Sequence, residues 1–352
     1  MLVLAALAVL HFAPASADTP ARTPQLAASE NVVALAYGSG KSIYVAVSTN
    51  QGKDFAKPVR IAEAAILPLT RHRGPRIAIS DGAIIVTVVT GQTAATGPHA
   101  HGLPADGDLF AWRSTDKGKT WSTPARVNDV PAAPREGLHT LAADGKGRLF
   151  AAWLDLRHEG TRLYGAWSDD NGATWNANVQ LYESPDGTIC QCCHPTAAFA
   201  PDGALDVMFR NSLGGARDLY LLRSTSGTQS FGKAQKLGQG SWMIDACPMD
   251  GGGIAHAGDR TVTAWRRDLD IFLAEPGQPE ARLGKGHDVA LAATREHTYA
   301  LWVENSELIS WIDGRSETLA AKAAMPAIAV LATGGVLAAW EDAGGISVAA
   351  LK

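Results

Sequence analysis

Ser114-Thr115-Asp116-Lys117-Gly118-Lys119-Thr120-Trp121 is repeated as Ser168-Asp169-Asp170-Asn171-Gly172-Ala173-Thr174-Trp175, and both copies read S-x-D-x-G-x-T-W. These residue types suit a tight turn. A carboxylate at the third position can accept bonds from turn N–H groups, glycine tolerates positive φ, and the aromatic residue pins the hairpin to what lies beneath it. Two weaker copies keep the spacing, Ser48 to Phe55 (STNQGKDF) and Ser224 to Phe231 (STSGTQSF). Strand-like runs flank each copy, such as Leu109-Phe110-Ala111-Trp112 before the first complete one and Ala125-Arg126-Val127 after it. A recurring turn between recurring strands marks a repeat architecture. The turn is a folding device and takes no catalytic role.

A second repeat marks another strand: Ala152-Trp153-Leu154-Asp155, Ala264-Trp265-Arg266-Arg267, Leu301-Trp302-Val303-Glu304 and Ala339-Trp340-Glu341-Asp342. A run with a Gly/Asp turn precedes each. With strands lettered A to D, the unit is A, turn, B ending in Trp and a polar residue, loop, C, the S-x-D turn, and D. Units begin near residues 24, 74, 135, 194, 248, 287 and 325. This pattern predicts an all-β chain, a β-propeller of seven four-stranded blades, or of six if one weak unit only closes the ring. The last unit lacks an outer strand, for which residues 18–23 are the expected source. The recurring tryptophans are expected to pack between blades.

The repeated turns resemble the Asp-boxes of the BNR-repeat sialidase superfamily, over nearly all of the chain after residue 17. The resemblance implies that the boxes are C–D turns on the face away from the site. Ligands then meet the opposite face, built from D-to-A connectors and B–C loops. It also implies a catalytic set of three arginines holding a carboxylate, an Asp acid/base, and a Tyr nucleophile backed by a Glu. Arg76-Ile77 resembles the first arginine motif, with Ala78 where proline is usual; Arg210 resembles the second arginine; Asp106 or Asp108 resembles the acid/base. Where the Glu is expected the chain reads Cys192-Cys193-His194-Pro195, and where the third Arg is expected it reads Ala246 to Asp250. Tyr299 lies within a strand pattern, so ordinary exo-sialidase chemistry is not what these residues imply.

Composition narrows the classes. Of 352 residues, 46% are apolar and 19% charged, ample for a packed core. The formal charge of −4 with scattered basic residues argues against a nucleic-acid or anionic-membrane partner. Residues 1–17 read as a secretory signal, with an apolar stretch from Leu2 to Leu10 and Ala15-Ser16-Ala17 before the expected cut. No Lys or Arg precedes that stretch. A single propeller over residues 18–352, periplasmic or secreted, is therefore expected, with no membrane span.

The expected ligand face collects the reactive residues. D-to-A connectors bring His72 and Arg76; then Arg135, Glu136 and His139; then Cys190, Cys192, Cys193 and His194; then Cys247, Met249 and Asp250; then His287 and Asp288. B–C loops add Asp106, Asp108, Arg217 and Arg267, and the Gly91–Gly107 insertion carries His99 and His101.

Four cysteines in an exported chain suggest two disulfides, with Cys247 close enough in the repeat to reach one of the other three. The alternative is a soft-metal site, Cu(I) first and Zn second, from Cys190, Cys192, Cys193, His194, Cys247, Met249 and His139. Arg76, Arg135, Arg210, Arg217 and Arg267 are candidate clamps for an anionic small molecule or glycan. Asp106 or Asp108 with Glu136 is the candidate carboxylate pair of a glycoside hydrolase or lyase. The readings left open are a metal or redox propeller such as a copper-dependent oxidoreductase, a glycan-active enzyme, and a non-enzymatic scaffold.

Overall fold

Strand B of the second unit, Ala83–Thr90 (AIIVTVVT), is a continuous β-branched run buried along its whole length. Such a run fits a strand covered on both faces, which is what stacking between neighbouring blades provides. The computed structural model describes residues 9–14, 16, 18–97, 100–227 and 229–351. Among these residues there is no helix, and the strands form seven four-stranded antiparallel sheets. Inner strands touch their neighbours all the way round, so the seven sheets close into a ring. The protein is a seven-bladed β-propeller.

Blades 1 to 6 each use four consecutive strands, with inner strands Ala21–Ser29, Arg76–Ser80, His139–Ala143, Thr196–Phe199, Gly252–Ala257 and His287–Ala293. Blade 7 is assembled from both ends of the chain. Ala323–Val330, Val336–Asp342 and Gly345–Leu351 are joined by Val9–Phe12 as outermost strand, with Val9 opposite Ala349 and Phe12 opposite Ile346. The closing strand is thus residues 9–12 and not 18–23. The physical reason is that Ala21 and its followers are committed to the inner strand of blade 1, where Ala21 pairs with Ser39. Part of the expected signal segment, including residues 1–8, 15 and 17, lies outside the described residues.

All four box turns fall between strands C and D, as expected. In the first complete box Gly118 N–H donates to Ser114 Oγ at 2.9 Å, and Thr120 N–H to Asp116 Oδ1 at 2.9 Å. The second repeats this with Gly172 on Ser168 and Thr174 on Asp170, each at 2.9 Å. The box glycines are left-handed, φ 81° at Gly118 and 78° at Gly172. They also sit against the preceding blade: a Cβ on Gly118 would lie 2.7 Å from Val47, and one on Gly172 3.0 Å from Ile85. The box therefore closes its hairpin and locks one blade to the last. The repeated tryptophans complete the contact: Trp153, Trp265, Trp302 and Trp340 are all buried, each in a cluster containing residues of the preceding blade.

Candidate functional site

The seven inner strands surround an axial cavity of about 220 Å³, lined by residues of every blade. His72, Arg76 and His194 line it at the end where the inner strands begin. Here the connectors gather three imidazoles and two carboxylates. His72 Nε2 lies 2.8 Å from Asp288 Oδ1, and His287 Nδ1 lies 2.8 Å from Asp288 Oδ2. Asp288 N–H donates to Asp250 Oδ2 at 2.9 Å. The His72 and His194 rings stack with centroids 4.1 Å apart. His72, Met249 and Asp288 all have left-handed φ, of 65°, 53° and 59°. Non-glycine residues hold that conformation only when their surroundings fix it, and they gather at functional sites.

Electrostatics separates the two carboxylates. Burial and the neighbouring Asp288 push Asp250 above the usual carboxylate range. Burial alone would also raise Asp288, but hydrogen bonds from His287 and His72 more than offset it and hold the group well below its ordinary value. Burial and the nearby His72 and Arg76 keep His194 neutral, well below the usual histidine range. Two buried atoms, His194 Nδ1 and Asp250 Oδ1, have no protein partner. Gly251 backs the His194 ring so closely that a Cβ there would fall 2.6 Å from a ring carbon. His72, Asp250 and Asp288 can each offer an atom within 4.8 Å of the others, a grouping able to hold a proton or a cation.

The expected clamps and carboxylates sit elsewhere or are already spent. Arg76 is buried and donates to the carbonyls of His139, Pro75 and His72. Arg210 donates to those of Asp250, Arg217 and Arg266. Both arginines stitch connectors together through three of their five N–H donors, and Arg76 also lines the cavity. Arg267 is bidentate on Glu280, and Arg135 donates to the Ala132 carbonyl. The Arg217 guanidinium has no ion pair or hydrogen bond among the described residues, and neither does that of Arg71, next to His72.

Asp106 caps the N–H groups of Gln92 and Thr93, Asp108 accepts from Asn128 and Ala132, and Glu136 pairs with Arg73. Each of these carboxylates anchors its own loop. His99 lies outside the described residues.

The cysteines divide three to one. Cys190 Sγ lies 3.3 Å from Cys193 Sγ and 3.7 Å from Cys192 Sγ, and the three can act as one ligand group. Sharing hydrogen bonds with Cys192 and Cys193 lowers the Cys190 thiol below its ordinary range. Cys247 is exposed and lies outside this group, and all four cysteines are free thiols, so the expected bond from Cys247 does not form. His139 does not join them: it is fully buried with Nε2 3.1 Å from Thr87 Oγ1, and burial with the Arg76 charge lowers it to about 3. His194 stacks on His72 and lies outside the cysteine group, and Met249 is half-buried beside Asp250 in sequence.

In the sequence His72, Asp250, His287 and Asp288 are connector residues with no spacing that joins them into a site. The usable signal was their shared place, at or just before the start of successive inner strands.

Boxes, blade number and axial cavity define a seven-bladed β-propeller with Asp-box-like turns. Residues 105–246 match the family model described as a BNR repeat-like domain. Similar solved structures include the polysaccharide lyase Uly1, with TM-score 0.60 and 9% identity over 94% of this chain and 90% of that one. An ulvan lyase of polysaccharide lyase family PL25 gives 0.58 and 12% over 96% and 94%. NanB sialidase from Streptococcus pneumoniae gives 0.57 and 11% over 100% and 71%. At such identities the likeness is one of fold. The sequence matches none of the curated proteins.

Proposed function

We propose that this propeller acts on an acidic polysaccharide at the mouth of its axial cavity, with His72 as the proton-transfer group. The observation that carries the reading is the His72–Asp288 pair, 2.8 Å apart, at the edge of the cavity. Asp288 is held ionised, so it accepts the Nε2–H of His72 and leaves the lone pair on Nδ1. That is the tautomer a general base needs. The stacked, neutral His194 adds no competing charge.

Asp250 and Asp288 present oxygens within 4.8 Å of each other, closer than the about 5–5.5 Å of a retaining glycosidase pair. Both are also buried. Removal of a proton next to a sugar carboxylate fits these groups better than hydrolysis by two acids. His72 would take the proton α to a uronate carboxylate; the bond to the leaving sugar oxygen breaks as the ring double bond forms, and that oxygen takes a proton from water. Arg71, with no partner among the described residues, and Arg266, within electrostatic reach of His287, are the cations available to the substrate anion. The polysaccharide lyases and sialidases of the same fold support a glycan ligand.

The test is incubation of the full chain with a panel of uronate polymers, followed by the ultraviolet absorbance of unsaturated product. Wild type forms it, and His72→Asn lowers kcat by about 10²-fold or more with little change in KM. Absence of unsaturated product from every uronate polymer sinks the reading.

A further inference from the structure

The cavity reading leaves the cysteine trio unused. We infer that Cys190, Cys192 and Cys193 form a three-thiolate site for a soft monovalent metal ion, Cu(I) before others. Their sulfurs, 3.3 Å apart for Cys190–Cys193 and 3.7 Å for Cys190–Cys192, are well beyond the about 2.05 Å of a disulfide. They are close to what a shared ion requires. Three thiolates in a plane around a metal, each at about 2.3 Å, stand about 4 Å from one another.

The loop that carries them is held in place before any ion arrives. Ile189 N–H donates to the Thr161 carbonyl at 2.9 Å, and Cys190 N–H to the Arg210 carbonyl at 3.1 Å. Cys190 and Cys193 are buried, whereas Cys192 is half-buried, so an ion enters past Cys192. The donor set selects the metal. Thiolate sulfur disfavours Mg²⁺ and Ca²⁺, which take oxygen ligands, and a structural zinc site wants a fourth ligand. The groups nearest in sequence do not supply one: among the described residues the group of ligand atoms within 4.8 Å of one another holds the three sulfurs, without His194 or Cys247. Three soft ligands without a fourth suit Cu(I). The nearby Arg210 charge, felt by both buried thiols, offsets the negative charge of such a complex.

The test is an anaerobic titration of the reduced full chain with Cu(I) against a chromophoric Cu(I) chelator, followed by X-ray absorption at the copper edge. One Cu(I) per chain, three sulfur ligands and no nitrogen is the expected result. Cys190→Ser with Cys193→Ser should weaken retention by at least about 100-fold, while Cys247→Ser leaves it unchanged. Circular dichroism and melting confirm that each variant is folded, and a misfolded double variant is replaced by Cys192→Ser. Failure of the wild type to hold Cu(I) against the chelator overturns the inference. So does an equal loss in Cys247→Ser, or a Cys190–Cys193 disulfide in protein taken from its native compartment.

Discussion

The Ser168 hydroxyl accepts the Gly172 N–H and donates to Asp170, and it is fully buried. Ser168→Ala leaves that N–H without a partner and should cost about 1–2 kcal/mol, read from the urea midpoint. In the sister box, the Thr120 hydroxyl and N–H draw the Asp116 carboxyl down to about 2. His139 adds a pH dependence of the same sense, at higher pH. It titrates at about 3 when folded, because burial and Arg76 oppose its charge, and near 6.5 when unfolded. Between these values the unfolded chain binds more protons, so stability falls as pH drops below about 6.5, by up to about 1.4 kcal/mol per unit. Denaturation at pH 7 and pH 5 should show the loss, and His139→Gln should flatten it. Gly251→Ala must displace the His194 ring or carbonyl. It should lower turnover about tenfold or more while circular dichroism stays unchanged, and an unaffected rate would remove His194 from the site.

At the scale of strands, the sequence made the interior of each blade readable and the ring closure much less so. Box residues and Trp-polar strand ends announce themselves because one physical role, locking a hairpin against the preceding blade, demands the same residues each time. The closing strand has no such demand. Val9–Phe12 is short, partly exposed, and placed by pairing with Gly345–Leu351 at the far end of the chain. Nothing local distinguishes it from the apolar stretch of a leader. Phe12 packs edge-on against Phe55 at 5.4 Å, and Leu10 lies in the same cluster. A chain starting at Asp18 should lose on the order of 2–3 kcal/mol in urea denaturation from this lost burial. It should also associate through the uncovered edge of Gly345–Leu351, visible in light scattering. Equal stability of the two chains would mean that the strand adds nothing to blade 7.

At the scale of the molecule, residue type and face were legible, but the state of each side chain was not. Arg76 and Arg210 resemble family arginines in sequence, but their guanidiniums also bind backbone carbonyls of the connectors, which no sequence pattern reveals. Asp106, Asp108 and Glu136 are likewise taken up by loop anchoring. His72 and Asp288 are 216 positions apart and meet only because the ring brings blade 6 to the connector before blade 2. The cysteine trio, by contrast, is local, and its clustering follows from the run Cys190-Gln191-Cys192-Cys193 itself.

The boxes thus fix the architecture, and the proposed chemistry sits on the connectors opposite them. The most direct measurement is a crystal structure with a uronate oligosaccharide bound. The account predicts the sugar at the cavity mouth, with its acidic C–H facing His72 Nδ1 and its carboxylate near Arg71 or Arg266. An oligosaccharide seated on the box face, or at the mouth with no group within reach of His72, would contradict it.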